Sequence, residues 1–396
     1  MKHNKQKTLL LYLYIALWVL NKLQGLFIDS SILSILLYLP FTFITLVCSY
    51  KVILNLPKTR TLQVLSVFFV IILLYGIELL LFNDAYGQSR TSFLIATIGS
   101  IGPIFAFYYF AYHGVVTPKR LFYSFIIFLC VALFEFYSYQ AAALIQLAND
   151  FDDITNNAAY AVLGCFPFLF LMNRKLIFQF VGLAIICFHV ISGLKRGAVL
   201  ILFVLLLWFF INAFNSTSSK KKIYLILLSL SLIFVGANYI QDFYNESEYF
   251  QYRVEMTKEG SSSSRDMIYS TLWSHFKTND NLIEVLFGEG AYHTENVTRG
   301  LKAHNDWLEL LIDCGLFGVF FYVLYWMAFW RDFKRSKSYS VALYSILGCC
   351  FLYTFLRTLF SMSFTDIPFY ISLMIGYGFA ALYYPNILED ENTCIR

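Results

Sequence analysis

The sequence has few charged residues, and this scarcity excludes an ordinary water-soluble fold. Asp, Glu, Lys and Arg make up 14% of the 396 residues, while hydrophobic residues make up 59%; soluble domains carry roughly 25% charged residues. Apolar runs such as 61–82 reach the roughly 20 residues that a helix needs to cross the hydrocarbon core. Such runs recur from end to end. We therefore predict an all-α integral membrane protein in which residues 1–396 form a single polytopic membrane domain.

The chain also lacks a strong net charge and a leader cleavage site. A formal charge of +4 is too small to indicate a nucleic-acid partner, and the basic residues occur in short clusters between apolar runs. The first apolar run, 8–20, resembles the core of a signal peptide, but no small-residue cleavage site follows it. We interpret this run as part of a retained first span.

No cysteine framework and no internal repeat is visible. Seven of the eight cysteines lie within or at the edge of apolar runs, and Cys394 lies in the tail. This distribution excludes a disulfide scaffold and a cysteine-based metal site. The lack of a repeat argues against transporter folds built from duplicated halves.

The distribution of basic residues predicts the topology. Numbering the loops alternately places almost all basic clusters on one side, which is the cytoplasmic side by the positive-inside rule. Both termini are then cytoplasmic, and the long connection 241–303 lies outside, between spans 9 and 10. If 158–172 and 175–191 were one element, the downstream loops would change sides. We predict about twelve spans, at 8–26, 31–50, 61–82, 92–112, 121–146, 158–172, 175–191, 198–213, 223–240, 306–330, 339–358 and 367–384.

The long outer loop contains a predicted amphipathic helix. Apolar residues recur at helical spacing over 265–277, which is typical of a helix that lies on a membrane surface. Ser263 and Asp266 fit a capping box. Arg265 would then stand in the first helical turn, where unpaired amides and the helix dipole favour an anion.

A second pair of cations lies at the outer end of a span. Lys195 and Arg196 lie between Gly193 and Gly197, although the short outer loops are otherwise nearly free of basic residues. A guanidinium group gives a forked pair of hydrogen bonds to phosphate, so one interpretation is an anion site. The other is an interfacial anchor whose side chains extend toward lipid headgroups.

Residues 303–318 combine a histidine with a stripe of carboxylates. On a helix, Asp306, Glu309 and Asp313 share one face and descend about two turns into an apolar segment. Carboxylates inside a membrane usually face a protein interior or a wet cavity. They could also pair with arginines such as Arg357 and simply hold helices together.

His304 precedes this stripe. Histidine titrates near neutral pH and can take a proton from a sugar hydroxyl as general base. The alternative is an interfacial histidine that only caps the helix. A metal site built from His304, Asp306 and Glu309 is disfavoured, because a second histidine at ligand spacing is missing.

The motifs together resemble the O-antigen polymerase and O-antigen ligase superfamily. The stretch from His304 through Asn305 and Asp306 to Glu309, followed by glycines, is similar to the family's histidine-asparagine motif entering a late span. Three further segments also resemble the family, and the similarity covers roughly residues 190 to 320. They are Ser192–Gly197 with its arginine, Ser264-Arg265-Asp266, and Phe287-Gly-Glu-Gly290.

The resemblance implies a glycosyltransferase of the GT-C-like fold in a bacterial inner membrane, with its active site on the periplasmic face. It implies a donor and an acceptor glycan linked to undecaprenyl diphosphate, contact with membrane lipid, no metal or other cofactor, and a chain-length regulator as a further candidate partner. His304 would activate the acceptor hydroxyl, and Glu309 would orient that histidine. Arg196 and Arg265 would hold the diphosphate. Lys195, in a place where many relatives have a small polar residue, would be a further contact, and the supporting residues would be Asn305, Asp306 and Asp313.

Three functions remain open at this point. The amino-acid sequence of residues 303–310 is more similar to that of polymerases, which join lipid-linked repeat units of O antigen or a related surface polysaccharide. A ligase would instead transfer the glycan to the lipid A core. A flippase or transporter of the same glycolipid is the alternative from another class, since it also needs about a dozen spans.

Overall fold

The computed structural model describes residues 2–27, 30–82, 89–147, 157–172, 176–193, 195–216, 265–361 and 363–384, with a few isolated residues between 222 and 255. The described residues form helices and connecting loops. The predicted span 223–240 lies almost entirely outside the described residues, and Ser263 of the predicted capping box lies outside them too. The α-helices are α1 (Lys2–Phe27), α2 (Ser31–Asn55), α3 (Arg60–Phe82), α4 (Ser92–Ser100), α5 (Gly102–Tyr112), α6 (Pro118–Leu147), α7 (Ala158–Gly164), α8 (Leu176–Ser192), α9 (Arg196–Ser216), α10 (Arg265–Thr278), α11 (Leu282–Phe287), α12 (His293–Val297), α13 (Asp306–Asp313), α14 (Gly315–Ser336), α15 (Val341–Phe360) and α16 (Phe369–Tyr383).

Length and composition identify the membrane-crossing helices. Within the described residues, 7 helical segments are long and apolar enough to cross a bilayer, and three shorter apolar helices accompany them. The chain is therefore an all-helical integral membrane protein, as predicted. The count of about twelve spans stays a prediction. The 7 segments are Lys5–Phe27, Ser31–Asn55, Arg60–Phe82, Ser92–Tyr112, Pro118–Gln140, Arg196–Asn215 and Val341–Phe360.

The predicted single span 306–330 is wrong, because two helices occupy this stretch. α13 ends at Asp313, with Cys314 as its C-cap, and α14 begins at Gly315, whose φ of 62° lies in the left-handed region that favours glycine. The chain bends here because a neighbouring segment packs directly against the break. A Cβ atom on Gly315 would lie 2.5 Å from the amide nitrogen of Gly288.

Two other predicted spans also have a more irregular course than the sequence indicates. The segment 92–112 is divided at Ile101 into α4 and α5, with Pro103 near the start of the second helix. Pro103 is tolerated there because the first turn of a helix needs no amide donor. In 158–172, α7 continues into a 3-10 helix, Phe166–Met172. The separation of this element from α8 is confirmed.

Two fully buried helices form the centre of the molecule. Every residue of α5 from Gly102 to Ala111 is buried, as is every residue of α16 from Phe369 to Leu382. Gly376 lets the two helices approach closely, since a Cβ atom there would lie 2.7 Å from the backbone nitrogen of Tyr108. The other helices pack around this pair and present apolar side chains outward, as expected for a protein whose solvent is lipid.

One end of the bundle contains a cavity of about 380 Å³. Its walls include Lys22, Tyr38, Glu135, Asn157 and Thr365, which come from five separate parts of the chain. The predicted topology places Asn157 and Thr365 in outer loops, and Lys22, Tyr38 and Glu135 within spans. The alternation of the spans stays a prediction.

The opposite end collects residues that the predicted topology assigns to the cytoplasm. The ammonium groups of Lys7 and Lys51 lie 5.7 and 5.5 Å from the ring centre of Tyr109. Asp332 in α14 accepts hydrogen bonds from the Thr61 amide, at 2.9 Å, and from its hydroxyl, at 2.7 Å. This carboxylate satisfies an amide of the first turn of α3, which has no partner within its own helix.

We expect Gly288→Ala to destabilise the protein. Gly288 has a φ of 80°, and a methyl group on it would overlap the Asp313 carbonyl. Strain and overlap together should cost about 2–4 kcal/mol, seen as a lower melting temperature in detergent. Gly114→Ala is the matched control, because Gly114 also has a positive φ of 66° but has no atom within 4 Å of the added group. Equal losses in both variants would contradict the proposed packing between Gly288 and the break after α13.

Candidate active site

His304 lies in the loop immediately before α13 and has an unusual backbone conformation. Its φ of 51° is in the left-handed region, which is uncommon for residues other than glycine. The next residue, Asn305, caps α13, because its side-chain oxygen accepts hydrogen bonds from the amides of Trp307 and Leu308 at 3.0 and 3.2 Å. Asn305 therefore fixes the start of α13 and the orientation of the loop that carries His304.

Three cations act electrostatically on the imidazole of His304. Burial, together with the charges of Arg265, Lys195 and Lys302, lowers the pKa of His304 to about 4. The ring is therefore unprotonated at neutral pH. The structure thus brings together three of the residues that the sequence singled out, His304, Arg265 and Lys195, although they come from separate segments.

Arg196 is the first residue of α9, next to Lys195. The first amides of a helix lack intrahelical partners and, with the helix dipole, favour an anion. The following residue, Gly197, packs against Tyr160 so closely that a methyl group on it would overlap the Tyr160 hydroxyl. Arg265 lies close enough to Tyr160 to act on it electrostatically. The beginning of α9 and the beginning of α10 therefore lie in the same neighbourhood.

The helix α10 occupies the stretch where the amphipathic helix is predicted, and its buried face contacts protein. Ile268 and Leu272 pack with Ala303 and Ile312, so α10 lies against α13 and the loop before it. Met267 and Trp273 remain exposed on another face. The packing explains how Arg265, at the first described residue of α10, is held beside His304.

Two of the three carboxylates in α13 hold remote backbone segments. Asp306 accepts hydrogen bonds from the Tyr322 hydroxyl at 2.5 Å and from the amides of Ser363 and Phe364 at 2.8 and 3.2 Å. Asp306 thus ties α13 to α14 and to the loop between α15 and α16. These bonds commit both of its oxygens and leave it poorly placed for a metal site with His304.

Asp313 accepts hydrogen bonds from the amides of Tyr292 and Thr294, at 2.9 and 2.8 Å, and from the Thr294 hydroxyl at 2.8 Å. The suggested pairing of Asp313 with Arg357 is wrong, because Arg357 forms its ion pair with Asp366. The sequence shows the charges but not these partners, since both carboxylates bind backbone amides far along the chain.

Glu309 is the third carboxylate of α13, and its hydrogen bonds are incomplete. Its side chain is buried, and its Oε2 atom has no hydrogen-bond partner among the described residues. α13 lies outside the candidate spans, and there burial, with Asp313 and Asp306 close by, raises the pKa of Glu309. Its predicted role in orienting His304 stays a prediction, since the described residues show no hydrogen bond between the two side chains.

A second group of side chains joins α10 to α12 and was missed from the sequence. Glu289 forms hydrogen bonds with the Nε2 atoms of His275 and His293 at 2.6 and 2.8 Å. Within the described parts of the chain, this is the group of three whose side chains could hold a metal ion. Zinc ligands at bond lengths of about 2.0–2.1 Å would lie farther apart than these atoms. The distances are those of hydrogen bonds, and the four-residue spacing of Glu289 and His293 was the available signal.

Comparison with known proteins gives a family match for part of the chain. Residues 180–323 match the family model described as O-antigen ligase, and no curated relative matches the chain. This part of the chain is therefore similar to the O-antigen ligase family, as the motifs predicted. Every candidate site residue identified from the sequence lies within the matched stretch.

The fold and the match define a class of protein. The chain is a multi-pass membrane protein, and its residues 180–323 are similar to a family whose members transfer glycans. Both polymerases and ligases fall within this class, and their substrates are lipid-linked glycans.

Proposed function

We propose that this protein polymerises oligosaccharide repeat units linked to undecaprenyl diphosphate, on the periplasmic face of the inner membrane. The observation that carries the proposal is the group of cations around the unprotonated imidazole of His304. Such a group can stabilise a departing diphosphate while the imidazole accepts a proton. The GT-C-like fold and a site on the periplasmic side belong to the same proposal.

The cations act on the leaving group. Breaking the bond between the sugar's anomeric carbon and the phosphate oxygen leaves the electron pair on the diphosphate. Arg265 and Arg196 would bind that negative charge through forked hydrogen bonds, and Lys195 would add a point charge. Cations held in place before the reaction stabilise such developing charge with little reorganisation. The proposal requires no metal ion, because the protein supplies these charges.

The imidazole acts on the acceptor. A hydroxyl oxygen of the acceptor sugar attacks the anomeric carbon, and His304 takes the proton of that hydroxyl. One C–O bond forms as the other breaks, and undecaprenyl diphosphate leaves. Glu309, buried beside Asp313 in α13, would orient the loop before α13 and thereby the imidazole of His304.

The family description as O-antigen ligase makes ligation the second candidate. A lipopolysaccharide gel of a deletion strain separates the two. Loss of a polymerase should leave lipid A core that carries a single repeat unit. Loss of a ligase should leave bare core, with polymer stranded on the carrier lipid, and that pattern would replace polymerisation with ligation.

The pH dependence of the rate offers a direct check on His304. Because burial and cations hold the pKa of His304 at about 4, kcat/KM of the free enzyme should fall only as the pH drops through that value. Bound diphosphate neutralises the same cations, so kcat should fall at a higher pH than kcat/KM does. The measurement is polymer formation from lipid-linked repeat units by purified protein. Identical acid limbs for the two parameters would contradict phosphate binding beside His304.

A further inference from the structure

The cavity at the end of the bundle adjoins the candidate site. Tyr160 forms part of the cavity wall, while its hydroxyl packs against Gly197 at the start of α9. The side chain is buried, and its hydroxyl has no hydrogen-bond partner among the described residues. A buried, unpaired hydroxyl is costly unless a ligand completes its hydrogen bonds. Tyr160 therefore lies between the cavity and the cations of the candidate site, Lys195, Arg196 and Arg265.

The charges in the cavity wall are paired. Lys22 Nζ lies 3.3 Å from Glu135 Oε1, and Arg357 forms an ion pair with Asp366. Two cations and two anions cancel, so the cavity does not favour a further anion such as phosphate. It favours a ligand that is polar but uncharged, with donors and acceptors for these four groups.

Aromatic side chains complete the wall. Trp18, Tyr38 and Tyr139 line the cavity together with the ion pairs. Arg357 itself is held over the Tyr160 ring, 5.1 Å from its centre. Ligand pockets typically measure about 300–1,000 Å³ and combine apolar faces with a few polar groups; this cavity, at about 380 Å³, is of that kind. Aromatic rings beside paired charges suit a sugar, which has apolar ring faces and hydroxyl edges.

We propose that this cavity binds a sugar residue of the lipid-linked glycan, while the cationic group beside it binds the diphosphate. The proposal rests on the proposed function and adds the location of the saccharide. The sugar could belong to the donor or to the acceptor, since both are lipid-linked glycans. The ion pairs would then orient hydroxyl groups, and Tyr139 would cover a ring face.

Two lipids test the proposal by direct binding to the purified protein. One is undecaprenyl diphosphate without sugar, and the other carries the repeat unit. We expect Tyr139→Ala to weaken binding of the sugar-bearing lipid roughly tenfold, by loss of stacking, and to leave binding of the bare lipid unchanged. Tyr137→Ala is the matched control, because Tyr137 is also exposed on α6 but does not line the cavity. Tyr160→Phe should weaken binding of the same lipid without lowering the melting temperature, since its hydroxyl has no hydrogen-bond partner to lose among the described residues.

The outcomes separate the saccharide proposal from the proposed function. Equal effects of Tyr139→Ala on both lipids, or no effect on either, would overturn the saccharide site while leaving the diphosphate site in place. Failure of the unaltered protein to bind either lipid would overturn both. To identify the source of the sugar, Tyr139→Ala is assayed with the other substrate saturating. A raised KM for the lipid consumed as donor identifies the donor sugar, and a raised KM for the acceptor identifies the acceptor sugar.

Discussion

Replacing His304 with alanine is expected to lower the rate of polymer formation by about 10²- to 10⁴-fold, while the amount of protein in the membrane stays unchanged. The size of the loss is that of a general base removed from its transition state. His304 is suited to this work because it is unprotonated at neutral pH, and because Asn305 fixes the loop through its cap on α13. The measurement is the lipopolysaccharide ladder of a deletion strain that carries the variant, with protein quantified in parallel.

His113→Ala is the control for this loss. His113 is also a partly buried histidine at a helix end, but it lies outside the matched residues 180–323. The His113→Ala variant should give a normal lipopolysaccharide ladder. If His304→Ala also gave a normal ladder at normal protein levels, catalysis by His304 would be excluded, and a transport function for the same glycolipid would become the better explanation.

Arg265→Lys is expected to lose about 10- to 100-fold in kcat/KM, although it keeps the positive charge. Lysine cannot make the forked pair of hydrogen bonds that a guanidinium gives to phosphate. Hydrogen bonds to charged groups contribute about 1.5–3 kcal/mol each, which corresponds to a loss of this size. Arg265 lies at the start of α10, and its charge acts on His304, so the substitution should affect the reaction directly. The measurement is turnover of lipid-linked repeat units by purified protein.

Lys277→Ala serves as the control in the same helix. Lys277 lies in the last turn of α10 and contacts Trp273 at 5.3 Å from the ring centre. Removing the Lys277 side chain changes the charge of α10 but alters no residue of the candidate active site, so turnover should be retained. Full activity of Arg265→Lys, or an equal loss in Lys277→Ala, would contradict a phosphate clamp at Arg265.

The sequence predicted the class of fold and the candidate residues of the site. Composition and apolar runs predicted a helical membrane protein. Every membrane-crossing helix needs about 20 mostly apolar residues, and its backbone must form all of its hydrogen bonds internally. The short motifs identified His304, Lys195, Arg196 and Arg265, since cations and a histidine are conspicuous in segments that are otherwise apolar. The family match covers all of them.

Long-range packing was beyond prediction. The break between α13 and α14 depends on Gly288, which packs against Gly315 from a different segment. Asp306 and Asp313 were predicted as supporting residues on one helix face, but their oxygens accept hydrogen bonds from amides of loops far away in the chain. Helical periodicity indicates which residues share a face, but it does not indicate what that face contacts.

The cavity was missed for the same reason. Lys22 and Glu135 come from α1 and α6, while Arg357 and Asp366 come from the last third of the chain. Taken singly, each of these charges in the sequence has no evident partner. Only the folded bundle shows that they form two ion pairs around one space.

The most direct test of the account is the side of the membrane on which the site lies. Ser192, Lys277 and Leu301 flank Arg196, Arg265 and His304, and each can be replaced singly by cysteine in a background where Cys130 and Cys394 are serine. A membrane-impermeant maleimide should label all three cysteines in intact spheroplasts. In a separate control protein, in which Cys130 is serine and Cys394 is kept, Cys394 in the predicted cytoplasmic tail should react only after permeabilisation. If cysteine at 192 reacted only after permeabilisation while those at 277 and 301 reacted before it, Arg196 could not share a diphosphate with Arg265 and His304, and the proposed active site would be wrong.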